Sequence, residues 1–257
     1  MSPKKISHGI VRQISSSLEN CELLYIARQK FDIEKARQQH ASYVSALEAA
    51  GVSMTVLPEE PMLPDATFVE DTVIVLDEIA VICRLGAASR APEADIIARH
   101  IAEIRPIYRI AHSGTIEGGD VLQIGKTLFV GISSRTNAAG IRQLEEIVSR
   151  YGYSVVGVKV TGCLHLKTGV TSPKEGVLLA NASWIDMAPF RGFEILQVPK
   201  SEPWGANTLS VNEAVLVAES SPNTADILEA KGLRVKRLAI CELQKAEAGL
   251  TCLSVLF

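Results

Sequence analysis

Short apolar runs, each doubled back at a polar turn, recur along this chain. Thr72–Arg84 (TVIVLDEIAVICR) breaks at Asp77-Glu78, and Val121–Ile132 (VLQIGKTLFVGI) breaks at Gly125-Lys126. Gly169–Asn181 turns within Pro173-Lys-Glu-Gly176, and Thr208–Ala218 turns at Asn212-Glu213. Two β-rich runs joined by a tight polar turn predict a hairpin. After three of these hairpins the apolar period changes. Ala91–Ile104, Asn137–Tyr151 and Asn223–Lys231 are amphipathic at helical spacing, with Ile141, Leu144, Ile147 and Val148 on one face. Gly152 and Gly232 stop the second and third of them. A single apolar run follows each helix: Ile107–Ile110, Val155–Val160 and Val235–Ile240. The remaining hairpin, Gly169–Asn181, leads into a less regular stretch, Ala182–Gly192, and then Glu194–Val198.

The N-terminal part supplies a helix, Ile33–Ala50, stopped at Gly51, and a strand, Val52–Leu57, with no hairpin before them. The missing hairpin can be built from Cys252–Phe257 paired with Gly9–Arg12. The chain thus predicts five hairpin–helix–strand units, the last closed by joining N- and C-terminal strands. Dividing 257 residues by five gives about 51 per unit, a usual repeat length. The expectation is an α/β fold of pseudo-fivefold repeats, one domain over residues 1–257, with no linker dividing it.

Composition narrows the function classes. The 47% of apolar residues is too high for wholesale disorder. A net charge of −3, from 26 basic and 29 acidic residues, argues against a nucleic-acid grip. No apolar run approaches the roughly 18 residues of a membrane helix. Met1–His8 carries positive charge with no apolar stretch behind it, so a secretory signal is not expected and a cytoplasmic location is. Five scattered cysteines without a CxxC predict free thiols, mostly packed as small hydrophobes, rather than a disulfide framework. Cys163-x-His165 offers only two ligands and falls short of a metal site.

Polar or reactive residues stand just before the first strand of each unit: Glu70-Asp71, then Glu117 with Asp120, then His165, Asn207 and Cys252. From Asp71 the separations are 46, 48, 42 and 45 residues, close to one repeat each. Around a common axis these positions converge at one end. Any one of them alone has an ordinary reading. Cys252 could be a core thiol, His165 a satisfied core imidazole, and Glu117-Gly-Gly-Asp120 a turn; Arg90 and Arg135 could be surface residues at helix starts. His8, His40, His100 and His112 have no comparable context and read as surface. A thiol, an imidazole and several carboxylates at one recurring position point instead to covalent catalysis on a cationic substrate.

Several segments carry a family resemblance: Pro64-Asp-Ala-Thr-Phe-Val-Glu-Asp71, Gly86-Ala-Ala-Ser-Arg90, Ile116-Glu-Gly-Gly-Asp-Val121, Ser134-Arg-Thr-Asn137, Leu164-His-Leu-Lys-Thr-Gly169 and Leu250-Thr-Cys-Leu-Ser254. In order and spacing they resemble the dimethylarginine dimethylaminohydrolases, from about Pro64 to the C-terminus. That family belongs to the pentein superfamily of guanidino-modifying proteins, which implies a five-bladed α/β-propeller. The resemblance implies Cys252 as nucleophile, His165 as general acid/base and Glu117 as the carboxylate behind the imidazole. It implies that Asp71, Glu70 and Asp65 recognise guanidinium and amine groups, that Phe68 lines the pocket, and that Arg90 and Arg135 clamp the substrate's α-carboxylate. By position, Leu18 offers a backbone contact from a loop over the site, and Ala246 is a further substrate-binding position. Ala248-Gly249 stands where relatives often carry Gly-Gly, and Leu256 where they often carry arginine.

The expected partner is a small guanidino amino acid, with no metal or other cofactor, no nucleic acid and no membrane. An exposed hairpin edge leaves room for a homodimer. The leading expectation is hydrolysis of Nω-methylated arginines to citrulline and methylamines through a cysteine thiouronium. The alternatives are hydrolysis or amidino transfer on another guanidine such as free arginine, and non-catalytic guanidine binding.

Overall fold

Each unit is built on a three-stranded sheet, and there are five. The computed structural model describes residues 5–257; Met1–Lys4, part of the basic N-terminus, lie outside the described residues. In the first sheet, β1 (His8–Arg12) lies between β2 (Ser53–Leu57), parallel to it, and β15 (Val255–Leu256), antiparallel to it. The other four repeat one plan, an antiparallel hairpin whose second strand also pairs in parallel with the strand after the crossover. They are β3 (Val73–Val75), β4 (Ala80–Ile82) and β5 (Ile107–Arg109); β6 (Val121–Ile124), β7 (Thr127–Ile132) and β8 (Ser154–Lys159); β9 (Val170–Lys174), β10 (Val177–Ala180) and β11 (Glu194–Gln197); and β12 (Leu209–Val211), β13 (Ala214–Ala218) and β14 (Arg234–Leu238).

Four crossovers run through the expected helices: α1 (Ile33–Ala49), α2 (Ala91–Ile101), α3 (Ala138–Val148) and α5 (Pro222–Ala230). Asp32 caps α1 by accepting from the Lys35 amide, and Asn137 caps α3 by accepting from the Gly140 amide. The crossover after β10 holds only a single 3-10 turn, Ala188–Phe190, in keeping with the irregular sequence there. Two one-turn helices, α4 (Leu166–Gly169) and α6 (Cys241–Gln244), complete the set. No helix among the described residues is long and apolar enough to cross a membrane.

The apolar cores lie between neighbouring units. One cluster combines Ile74, Val81 and Cys83 of the β3–β5 unit with Val121, Leu128, Leu144 and Val148 of the next. Another joins Tyr43 and Leu47 of α1 to Leu216 and Leu238 and to Cys252 and Leu253. No unit can bury its apolar face alone, which is the physical basis of repeat architecture. Cys21, Cys83, Cys163 and Cys252 are buried, while Cys241 is exposed, and none forms a disulfide.

The surface reading of His40 is overturned. His40 is 5% exposed on the inner face of α1, its ring 6.4 Å from that of Tyr43, and its Nε2 has no hydrogen-bond partner. Polar neighbours on α1 masked its inward position in the sequence pattern. Burial pushes the imidazole down from 6.5 to about 4. Between those two values the unfolded chain takes up a proton that the folded chain does not. Stability is therefore lost as pH falls through that window, by up to about 3 kcal/mol. Urea unfolding at pH 7.5 and pH 5 checks this. His40→Leu should lose about 2 kcal/mol less than the wild type between the two, and equal losses would reject it.

Candidate active site

The turn that precedes the first strand of each unit is the constructive element of the site. Asp71 lies in the 3-10 turn Val69–Thr72 before β3, Glu117 caps the turn Gly118–Asp120 before β6, and His165 caps α4 before β9. Cys252 lies in the turn Thr251–Leu253 before β15. These turns pack on one another: Val69–Thr72 touches both Gly118–Asp120 and Thr251–Leu253, and α4 touches Gly118–Asp120.

The result is one narrow cavity. Asp65, Phe68, Asp71 and Arg90 line it from one side, and Arg135, His165, Ala246 and Cys252 from the others. Glu117 is fully buried behind the imidazole, its Oε2 2.7 Å from His165 Nε2. Its Oε1 accepts from the Gly86 amide at 2.9 Å and lies 3.6 Å from Arg135 Nη1. Asp71 Oδ1 accepts from the Gly119 amide at 3.1 Å and stands 3.9 Å from His165 Nε2. Gly119 is required at this approach. A Cβ there would come within 2.7 Å of His165 Nδ1 and 2.8 Å of Asp71 Oδ1. Asp120 serves the same turn differently, its Oδ1 accepting from the Leu166 amide at 2.9 Å and so holding the residue after His165.

The two arginines differ. Arg90 is engaged on all sides, by Asp71 through Nη1 at 2.8 Å and by Glu93 through Nε and Nη2 at 3.1 and 2.8 Å. Arg135 is equally buried, yet its Nη1 has no hydrogen-bond partner. Two expected residues stand apart from the cavity wall. The Glu70 carboxylate turns the other way, onto Lys167 Nζ at 2.6 Å and the Thr251 hydroxyl at 2.9 Å, and lines a second cavity with Thr208, Ser210 and Ser254. Leu18 is buried in the core beneath the loop between β1 and α1, and Glu22 of that loop reaches the cavity instead.

That loop is held down across the site. The Glu22 amide donates to Asp65, and the Ser89 hydroxyl to Glu22 Oε1 at 2.5 Å. Glu247 accepts from three successive amides, Leu24 (3.0 Å), Tyr25 and Ile26 (2.7 Å). The sequence offered a signal for Glu93, since Arg90-x-x-Glu93 at a helix start is ion-pair spacing. It offered none for Glu247, whose partners are backbone groups more than 200 residues away.

Burial works against the imidazolium of His165, but the charge of Asp71 and the hydrogen bond to Glu117 outweigh it and raise the group to about 9. Burial likewise opposes the Glu117 carboxylate, and the His165 hydrogen bond together with the charges of His165, Arg90 and Arg135 brings it down to about 2. The Cys252 thiol goes the other way, up to about 12, because it is buried and feels the nearby negative charges of Glu70 and Asp71. The Gly249 amide, 3.4 Å from Sγ, and Lys167 offset part of this. The cavity thus holds a neutral thiol, an imidazolium and carboxylates.

Ligand atoms of Asp71, Glu117 and His165 lie within 4.8 Å of one another, a spacing a metal ion could bridge. Each is already engaged: Asp71 by the Gly119 amide and Arg90, Glu117 by the Gly86 amide and His165. The guanidinium groups of Arg90 and Arg135 add positive charge beside them.

Comparison with known proteins gives one direction. A family profile described as "N,N dimethylarginine dimethylhydrolase, eukaryotic" matches residues 24–169. The chain is 36% identical over 230 residues to a Pseudomonas aeruginosa protein named N(G),N(G)-dimethylarginine dimethylaminohydrolase, covering 89% of this chain and 91% of that one. A protein of the same name from Streptomyces coelicolor is 36% identical over 249 residues, 96% of this chain and 95% of its own. Among solved structures, a cysteine-to-serine mutant of the Pseudomonas aeruginosa protein complexed with citrulline superposes with a TM-score of 0.95 at 34% identity, covering 99% of this chain and all of that one.

The pairing of His165 with Glu117 is open to direct measurement. In a proton NMR titration of the free protein, His165 should titrate near pH 9. Glu117→Gln should move it down, because the charge and charged hydrogen bond that Glu117 sets against burial are lost. A midpoint that stays put in the variant would show that Glu117 does not hold the proton there.

Proposed function

Because the chain belongs to the dimethylarginine dimethylaminohydrolase family, we propose that it hydrolyses Nω-methylated arginines to citrulline and the corresponding methylamine, through a covalent intermediate on Cys252. The observation that carries this reading is the charge layout of the cavity. Arg135 brings a buried donor with no hydrogen-bond partner, and Asp65 and Asp71 stand together across the cavity from it. An α-carboxylate answers the free donor of Arg135 and cationic amine and guanidinium groups answer the carboxylates, since a buried donor without a hydrogen bond is disfavoured and opposite charges at a buried site attract strongly. Arg135 makes the direct contact to the carboxylate, while Arg90, committed to Asp71 and Glu93, supports it electrostatically.

The proposed chemistry proceeds in two halves. The substrate guanidinium replaces solvent beside Asp71 and adds a positive charge near Sγ, so the thiol gives up its proton to solvent as the substrate binds. The sulfur attacks the guanidino carbon, His165 gives its proton to the methylated nitrogen, and the C–N bond breaks to release the amine. A cationic thiouronium remains on Cys252. The imidazole, now neutral, takes a proton from a water that attacks the same carbon. The C–S bond breaks, the sulfur takes the remaining hydroxyl proton to restore the thiol, and the neutral ureido group of citrulline leaves while His165 keeps the proton taken from water. Glu117 keeps the imidazole oriented and makes it a stronger base in the second half. Phe68 and Ala246 shape the walls. Glu22 and Asp65 close the amine end, with Leu18 beneath as support rather than as a wall. Glu70 acts on the opposite side of the turn, toward Lys167.

The same proposal takes the five sheets as blades of one closed α/β-propeller and the chain as a single catalytic domain. Contacts run in cyclic order: β15 on β3, the turn at Val69–Thr72 on the turn at Gly118–Asp120, α4 on β6 and β7, β9 on β12, and β14 on α1. Such an order supports a ring with the site at its axis.

Incubation with asymmetric dimethylarginine should give dimethylamine and citrulline in equal amounts. Cys252→Ser should bring turnover to background, and His165→Gln should lower kcat by roughly 10²–10⁴-fold. Arg135→Ala should raise KM on the order of 30-fold or more with kcat little changed, from the loss of about 2 kcal/mol or more of buried ion pairing. Ammonia released from free arginine at equal kcat/KM would overturn the assignment of methylated substrates.

A further inference from the structure

Asn207 occupies in the β12–β14 unit the place that Asp71, Glu117, His165 and Cys252 occupy in theirs, yet the chemistry above gives it no part. It is buried, and its polar groups go to two main-chain groups and one hydroxyl on two separate turns. Its Nδ2 donates to the Lys167 carbonyl at 2.9 Å and to the Thr251 hydroxyl at 3.1 Å, and its Oδ1 accepts from the Thr251 amide at 3.2 Å. Lys167 lies two residues after His165, and Thr251 immediately precedes Cys252. Both partners then meet on one carboxylate, the Thr251 hydroxyl on Glu70 Oε2 and Lys167 Nζ on Glu70 Oε1. Asn207, Thr251, Glu70 and Lys167 form a closed hydrogen-bonded ring, offset by one or two residues from Cys252, Asp71 and His165.

We infer that Asn207 is a positioning residue for the hydrolysis, setting the separation of the Cys252 sulfur from the His165 imidazole by tying the two turns together through their backbones. The inference rests on the roles proposed for Cys252 and His165. Backbone partners matter here because a main-chain tie has no rotamers through which to slacken. A second contact points the same way. A Cβ on Gly249 would run into the Asn207 amide, so the chain before Cys252 lies flat against it, and the Gly249 amide on that chain donates to Sγ. Asn207 thus also backs the donor that favours the thiolate. No other side chain of this size supplies two donors and one acceptor from a planar group. Aspartate keeps the shape and the acceptor but loses both donors.

The test compares Asn207→Asp with the wild type for kcat, KM, melting temperature and the pH dependence of Cys252 alkylation by iodoacetamide. A displacement near 1 Å between nucleophile and acid costs on the order of 10²-fold in rate. The expected result is a kcat lowered about that much, KM within about threefold because Asn207 does not line the substrate cavity, and an alkylation midpoint moved upward. A kcat within about threefold of wild type overturns the inference. So does a loss of kcat with an unmoved alkylation midpoint, which marks a merely structural residue. If the aspartate variant does not fold, Asn207→Ser, which keeps a hydroxyl, is read in the same way, and failure of both to fold also overturns it. The wild-type assay separates this inference from the one beneath it. Absence of Cys252-dependent citrulline in the wild type removes both, whereas normal wild-type turnover with an unaffected Asn207→Asp removes only the tie.

Discussion

Two carboxylates and an imidazole, withdrawn together from water, set the terms on which the rest of the site is arranged. Removing an ion from water costs several kcal/mol even after relaxation, and the cost is met only by close opposite charge and saturated hydrogen bonding. Glu117 meets it with His165, Arg135 and the Gly86 amide, and Asp71 with Arg90 and the Gly119 amide. Arg90 in turn needs Glu93. Three of these contacts, Glu117 with His165 and with the Gly86 amide and Asp71 with the Gly119 amide, join neighbouring units, so the pairing crosses from unit to unit. Glycine at position 119 follows from this, since only a bare backbone brings an amide against Asp71 and the ring together. The repeated turn is the device that delivers these groups to one place.

The same field governs the sulfur. Burial and the charges of Glu70 and Asp71 push the Cys252 thiol up and disfavour a thiolate in the resting site. A guanidinium entering beside Asp71 cancels that repulsion where the nucleophile needs it. On the proposed chemistry, selectivity for cations and activation of the sulfur are one electrostatic effect, and stray neutral electrophiles meet an unreactive thiol.

The hairpins, the four long helices and the closing pairing of first and last strands were legible because turn chemistry and apolar period are local. Helix ends moved by one to three residues, as at Ile101 against Ile104, where fraying and not pattern decides. The grouping of Asp71, Glu117, His165 and Cys252 was legible from their recurrence at the same point in each repeat. The direction of Glu70 was not. Adjacent residues on an irregular turn face opposite ways, and nothing in Glu70-Asp71 says which one meets the cavity. His40 was misread for a related reason, because a polar residue among polar neighbours on α1 gives no sign of facing inward. Glu247 was invisible, as its work is done on backbone amides that carry no sequence identity.

The strand after Cys252 pairs with the first strand of the fold, Gly9 opposite Leu256 and Ile10 opposite Val255, across a separation of more than 240 residues. Such a contact has the highest loop-closure entropy in the chain and gives it high contact order. The turn that carries Cys252 leads straight into this longest-range pairing. On the role proposed for Cys252, a chain with its four internal sheets intact and β15 detached would hold most of its secondary structure and turn over no substrate. Regain of turnover during refolding would then time that last closure, separately from the appearance of helices and sheets.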